Sequence, residues 1–418
     1  MNTQLLSYNY PSILYHWLAH VSNIVKEESD SRALFLLGST ARGELSYLEC
    51  EHGAVELFSD FEFLVVTTSR ISGQDRHRIQ SRLHDLEKAI ANPNPLFHID
   101  VLYREKKRLT TFPPLIFTYE LKENAKQLDG ENILSDIPDV TLANLDLRNT
   151  NEILYKRLWA ILLYLPQRFF SGHMSQAERR VAGYVLCRNA LDLTTVLLPY
   201  EGILLSTYQQ RVQRLREEFS SMALAEKFGA DFPSFLDLCL QKRKMLDFER
   251  TDIYNLYEII IRQFENAFHY LSTRQESSDF SPTLAHSIFN EWPISRGEWY
   301  NIVRISSSLT RSRGPATTYR WLRTAKKVWL AWGLLSIHKA FIAYQQGLQT
   351  QAWSWLHQSL NALTQIQVKN DPSALPHDFV IQVFALRQEW AQFWQAYIRL
   401  GDAKYQDRFA SITRWQHD

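Results

Sequence analysis

The stretch Leu34 to Val66, LFLLGSTARGELSYLECEHGAVELFSDFEFLVV, decides the reading of this chain. It opens on an apolar run, Leu34 to Leu37, of the kind a buried strand shows. The run breaks at Gly38-Ser39. A second apolar run, over 57–66, carries Asp60 and Glu62 at alternate positions. Alternate residues of a strand share a face, so the two acids project together while Phe61 and Phe63 point into the core. A third segment, Leu96-Phe-His-Ile-Asp-Val-Leu-Tyr103, offers another strand, with Asp100 as its one carboxylate and His98 on the same face. Acids seldom sit inside apolar strands unless they are paired or coordinated. Three of them behind a Gly-Ser turn point to a divalent metal and a phosphate.

Around this stretch the chain reads as α+β. A helix is expected over 12–28, a short one from Thr40 to Leu45, a charged one over 72–90 with apolar residues at Ile79, Leu83, Leu86 and Ile90, and one over 112–123. Asn92-Pro93-Asn94-Pro95 ends the helix before the Asp100 strand. The order β-α-β-α-β implies a small mixed sheet. From about 140 helical periodicity takes over, with helices expected at 150–165, 175–198, 205–222, 232–246 and 252–272. A polar stretch over 273–282 reads as a linker. Beyond it helices are expected at 283–290, 297–310, 316–346, 350–366 and 376–400. The boundaries place a catalytic domain at 1–135, a helical bundle at 136–275 and a second helical domain at 276–418.

Composition bounds the class. A length of 418 residues suits two or three domains, and 45% hydrophobic residues suffice for sizeable cores. A net charge of +1 gives no whole-molecule signal for nucleic acid. Cys50, Cys187 and Cys239 lie far apart without zinc-like spacing, which reads as a reducing compartment. The N-terminus lacks a basic region followed by an apolar core, and the most apolar windows, Leu158 to Leu165 and Val328 to Ile337, are too short for a bilayer. The expectation is a cytoplasmic protein with no membrane partner.

The motifs are similar to those of the nucleotidyltransferase superfamily, which includes DNA polymerase beta, aminoglycoside nucleotidyltransferases and the minimal nucleotidyltransferases. The resemblance rests on Gly38-Ser39-x-Ala41-Arg42-Gly43-Glu44, on Ser59-Asp60-x-Glu62 and on the later Asp100, and it covers about the first 130 residues. It implies a core with a helical domain closing its cleft. Asp60, Glu62 and Asp100 would be catalytic and hold Mg2+ or Mn2+, with Asp100 also able to take the acceptor's proton. Gly38 and Ser39 would approach the phosphates of a nucleoside triphosphate, ATP being favoured. Arg42 would steady a phosphate or pair with Glu44. Two departures stand out: residues near 45–57 look like an insertion, and Glu62 occupies a position where Asp is common. Glu56, in the insertion, is left out of the catalytic set.

In the helical part, Arg188-Asn-Ala-Leu-Asp192 and Thr207-Tyr-Gln-Gln-Arg211 stand out. Tyr208 could stack on a nucleobase and Arg211 could meet a phosphate; a core tyrosine and a surface arginine are the plainer reading. Residues 299–370 contain no Asp or Glu and carry Arg304, Arg311, Arg313, Arg320, Arg323, Lys326, Lys327, Lys339 and Lys369, with Trp321, Trp329 and Trp332 interleaved. Through 299–339 such a surface could hold nucleic acid, or it could face an acidic surface of the same protein. The function implied is metal-dependent transfer of a nucleoside monophosphate to an unidentified hydroxyl acceptor. A tRNA-like terminal transferase and a catalytically degenerate nucleotide-binding scaffold are the alternatives.

Overall fold

The computed structural model describes residues 8–171, 173–248, 253–273, 326–366 and 378–397. The architecture is α+β: a small mixed sheet followed by a large helical region. Thr273 of the expected linker ends a helix, while residues 274–282, the helices expected at 283–290 and 297–310, and the basic residues from Arg304 to Arg323 with Lys369 lie outside the described residues.

Four strands form the main sheet in the order β5-β4-β1-β6: β1 (Ser31–Leu37), β4 (Phe61–Thr67), β5 (Ile99–Glu105) and β6 (Lys126–Gly130). β1 runs antiparallel to β4, with Leu37 opposite Glu62. β4 runs parallel to β5, with Glu62 opposite Asp100. Parallel neighbours need a crossover, supplied here by α3 (Gly73–Ile90). Ser72 caps that helix by accepting from Asp75 N, and Ala91, in the left-handed region at φ 50°, ends it.

Both faces of the sheet are covered. Phe61, Phe63 and Val65 pack with Leu34 and Leu36 beneath α1 (Ser12–Glu28) and α3. Phe35, Leu37, Leu64 and Val66 face Leu109, Phe112, Leu121 and Ile133 on the other side. Each such side chain contributes about 1.5–3 kcal/mol when taken from water. Strands buried on both faces read as near-continuous apolar runs, which is why β1 and β4 do. Glu62 interrupts that pattern on the Leu64 face, where nothing apolar would place it.

The expected insertion is an ordered hairpin, β2 (Tyr47–Glu49) with β3 (Val55–Leu57). Asn92 ties it down, its Oδ1 accepting from Leu57 N at 2.7 Å and its Nδ2 donating to Leu57 O at 3.0 Å. β3 ends at Leu57 and β4 begins at Phe61, so Asp60 sits just before its strand rather than within one long strand over 57–66. The helix expected from Thr40 is a single turn, α2 (Gly38–Ala41). The one expected from Phe112 starts later, as α4 (Ile116–Asn124), because Pro113 and Pro114 precede an extended Leu115.

The helical region centres on α7 (Gln176–Leu197), flanked by α5 (Leu147–Tyr164), α6 (Gln167–Ser171), α8 (Tyr208–Glu218), α9 (Ala225–Phe228), α10 (Phe232–Met245) and α11 (Ile253–Thr273). The segment Gln176–Glu201 is long and apolar enough to cross a membrane, but 94% of its apolar window is buried inside the protein. It is the core helix, and Gly183 lets the Phe248 ring lie against it: a Cβ there would meet that ring at 2.3 Å. Helices α12 (Lys326–Gln345), α13 (Gln349–Ile366) and α14 (Phe379–Tyr397) add Leu334, Leu356 and Trp390 to the apolar cluster that holds α5, α7 and α11. Phe58 and Leu96 of the sheet domain join the same cluster, so sheet and helices share a core.

Candidate metal centre

Gly38 follows β1 at φ +65°, a conformation that favours glycine. A Cβ at that position would lie 2.6 Å from Glu62 Oε2, so the carboxylate rests directly against the turn. Arg42 N donates to Gly38 O at 3.2 Å and Glu44 N to Ser39 O at 2.8 Å, which fixes the turn's shape. Ser39 is half-buried beside it.

Opposite the turn, the acids converge. Phe61 N donates to His98 O at 2.9 Å, clamping the start of β4 to the residue before β5. That places His98 Nε2 2.6 Å from Asp100 Oδ2 and 3.2 Å from Asp60 Oδ2, while Nδ1 lies 3.1 Å from Leu96 O. One donor atom from each of Asp60, His98 and Asp100 fits within 4.8 Å of the others. With a cation bound, His98 Nδ1 would donate to Leu96 O and leave Nε2 as the ligand nitrogen. The Asp60 side chain is 12% exposed and that of Asp100 34%, so Asp100 is the more open of these two acids to an incoming molecule.

Glu62 completes the group. Burial, then repulsion from Asp60 and Asp100, pushes its carboxyl up to about 8, against the opposing pull of Arg188 and Arg42. Acids so crowded form a site that a divalent cation would relieve. Two carboxylates and an imidazole, with a third carboxylate beside them, fit Mg2+ or Mn2+, the imidazole favouring Mn2+.

The helical region reaches this centre through α7. Ser59, next to Asp60, accepts from Ser46 N at 3.3 Å and shares a hydrogen bond with Tyr184 OH at 2.9 Å. Arg188, one helical turn beyond Tyr184, lies in the field of Asp60; burial opposes its charge, but Tyr184, Asp60, Tyr208 and Asp192 hold the guanidinium well above its ordinary value. Arg188 thus adds positive charge to the field of the site, a role its sequence did not disclose.

Arg42, Tyr208 and Arg211 stand in the adjoining junction. Arg42 Nε donates to Glu44 Oε2 at 2.8 Å and Nη1 lies 3.3 Å from Glu120 Oε2. Arg211 pairs with Glu120 too, and donates to Leu205 O at 2.9 Å and Thr195 Oγ1 at 2.7 Å. Tyr208 is buried, its hydroxyl donating to Asp192 Oδ1 at 2.6 Å. Glu44 Oε1 accepts from Tyr208 N at 2.7 Å and Gln209 N at 3.3 Å, so the turn after β1 caps α8. The structure therefore gathers Gly38, Ser39, Asp60, Glu62 and Asp100 at one point and sets Arg42, Tyr208 and Arg211 in a paired network beside it. Glu56 is elsewhere, accepting from Asn94 Nδ2 at 2.7 Å. Lys339 of the basic stretch pairs with Glu265 at 2.5 Å and lies 4.2 Å from the Trp355 ring centre.

No protein-family model and no curated protein matches the sequence. Solved structures that match include a spectinomycin adenyltransferase, AAD(9), from Enterococcus faecialis, determined with ATP and spectinomycin. It is 14% identical, and the match covers 60% of this chain and 98% of that one at a TM-score of 0.37. Likeness of that degree carries no inference about activity, and the functional reading rests on this chain's own residues.

Proposed function

We propose that the protein is a divalent-metal-dependent nucleotidyltransferase, moving a nucleoside monophosphate from a nucleoside triphosphate to a hydroxyl acceptor and releasing pyrophosphate. One observation carries this reading: Asp60, Glu62 and Asp100 crowd against the Gly38-Ser39 turn closely enough that Glu62 is pushed up to about 8. Asp60, His98 and Asp100 would hold Mg2+ or Mn2+, with Glu62 beside them. When bound, the metal would neutralise phosphate charge and favour in-line displacement. The Gly38-Ser39 backbone and the Ser39 hydroxyl would contact phosphate oxygens, Gly38 because it leaves room for close approach. Asp100, more open than Asp60, would take the acceptor's proton as the acceptor oxygen bonds the α-phosphorus and the bond to pyrophosphate breaks. Arg188 faces the same space and would balance the phosphate charge.

Arg42, Tyr208 and Arg211 would reach a nucleotide only by exchanging their present partners, Glu44, Glu120 and Asp192, for it. In this reading they act when the helical domain closes on the ligand. Three free cysteines and a nucleoside triphosphate substrate suit the cytoplasm.

The test is incubation with each labelled nucleoside triphosphate, ATP first, with Mg2+ or Mn2+ and a cell extract, followed by identification of the labelled product. Asp60→Asn and Glu62→Gln should each abolish labelling in a protein that stays folded by circular dichroism. Undiminished labelling in both variants would overturn the assignment.

A further inference from the structure

We propose that the cavity between the 43–46 segment and helices α8 and α10 is a binding site for a small molecule bearing a carboxylate or phosphate, held by Arg243 and Ser46 and separate from the metal centre. The cavity has a volume of about 640 Å³, within the range of small-molecule sites. None of Gly38, Ser39, Asp60, Glu62, His98 or Asp100 lines it. Ser59 and Tyr184, hydrogen-bonded to each other, stand between the two.

Two buried polar atoms on its wall have no partner. Arg243 is 3% exposed and its Nε makes no hydrogen bond. Among the described residues the only groups seen against its guanidinium are the rings of Tyr208 and Tyr184, with centres 5.2 and 5.6 Å away. Ser46 is 1% exposed and its Oγ is likewise unpartnered. Buried cations are normally paired, and ring faces return less than the lost hydration costs.

The acids around the rim do not supply the missing partner. Glu44 is held by Arg42 and by the first amides of α8. Glu217 accepts from Gln213 at 2.9 Å, and Asp237 accepts from Gln241 at 3.1 Å and lies 3.8 Å from Arg216. The guanidinium is thus left to an anion from outside. Its planar fork suits a carboxylate or a phosphate, and the Ser46 hydroxyl, lining the same cavity, suits one further oxygen.

The test uses the full chain, titrated calorimetrically with inorganic phosphate and, separately, with citrate. At least one should bind the wild type with a Kd of about a millimolar or below. The better binder tells a phosphoryl compound from a carboxylate. Arg243→Gln should weaken that binding about tenfold or more, with a melting temperature no lower than wild type, because glutamine removes an unpaired buried charge. Ser46→Ala deletes an oxygen that bonds to nothing in the protein and should weaken binding several-fold; it carries the test if Arg243→Gln does not fold. Asp60→Asn should leave the anion's Kd unchanged. Absence of binding by both anions, unchanged affinity in the Arg243 and Ser46 variants, or loss of binding in Asp60→Asn would overturn the proposal. The last result would place the anion at the metal centre without touching the transferase reading.

Discussion

Glu62→Gln should make the metal-free protein more stable while abolishing its activity, and the gain should grow as pH rises from about 4.5 to about 8. In the folded chain burial and the neighbouring Asp60 and Asp100 raise the Glu62 carboxyl from its ordinary 4.5 to about 8. Between those values the folded protein keeps a proton that the unfolded chain has released, so stability falls as pH rises through the window. Below 4.5 both states are protonated and the contribution is whole; above 8 both are ionised and it is gone. The full displacement corresponds to about 5 kcal/mol. Glu62 keeps some exposure to solvent and its charge interacts strongly with the neighbouring acids, so about 2–4 kcal/mol is the expected loss. Glutamine keeps the shape and cannot ionise. Urea denaturation of both proteins in chelator, from pH 4 to pH 9, should give similar stabilities at the acid end and a Glu62→Gln advantage of about 2 kcal/mol or more at pH 8.5. Mn2+ should then restore the wild type at pH 8.5 and help the variant less. Curves that stay parallel across the range would refute the claim that repulsion among these acids is stored in the fold.

Three further outcomes follow from the same geometry. Gly38→Ala forces a Cβ into a left-handed backbone position 2.6 Å from Glu62 Oε2 and should cost about 1–3 kcal/mol in denaturation while weakening Mn2+ binding; an unchanged stability would mean the turn is not so constrained. Glu120→Gln strips a carboxylate from both Arg42 and Arg211, and a loss of about 2–4 kcal/mol is expected by chemical denaturation. His338 is buried, its Nδ1 2.6 Å from Tyr257 OH and its Nε2 3.0 Å from Leu158 O, and burial lowers it to about 4. The folded state therefore resists its protonation: the stability it contributes is whole above pH 6.5 and is lost as pH falls towards 4, by up to about 3 kcal/mol. His338→Asn should flatten that part of the acid-denaturation profile.

How much of this was legible in the sequence depends on how local the cause was. The alternation of Phe61, Glu62 and Phe63 is a two-residue period, and it assigned both the core face and the acid face of β4. Asp60 was legible as a neighbour of Glu62 but not as the residue before the strand, because the break at Phe58-Ser59 depends on partners far along the chain, Tyr184 among them. β6 was missed: Lys126-Gln-Leu-Asp-Gly130 has no strand pattern and is extended because β1 pairs with it at the sheet edge. His98 was placed on the Asp100 face by spacing, yet that its ring bridges to Asp60 follows only from the parallel pairing of β4 with β5. Tyr208 and Arg211 look amphipathic on their own helix; Glu44 and Glu120, which pair with them, lie far away in the sequence.

These distant partners share a logic of charge. The sheet presents a knot of carboxylates that repel one another, and Arg188 of the helical region and Arg42 act against that repulsion. Arg188 lowers the cost of ionising Glu62 without pairing with it as tightly as Arg42 pairs with Glu44. Arg188 and Arg42 offset only part of the repulsion, since Glu62 is still pushed up to about 8, and a bound cation would offset more of it. Partial compensation leaves Glu62 costly to ionise, which an added positive charge would relieve. That balance is set by where α7 is pinned, through Ser59 and Tyr184. Tyr184→Phe, which keeps the packing and breaks that hydrogen bond, therefore tests it: divalent-cation affinity should change more than stability does.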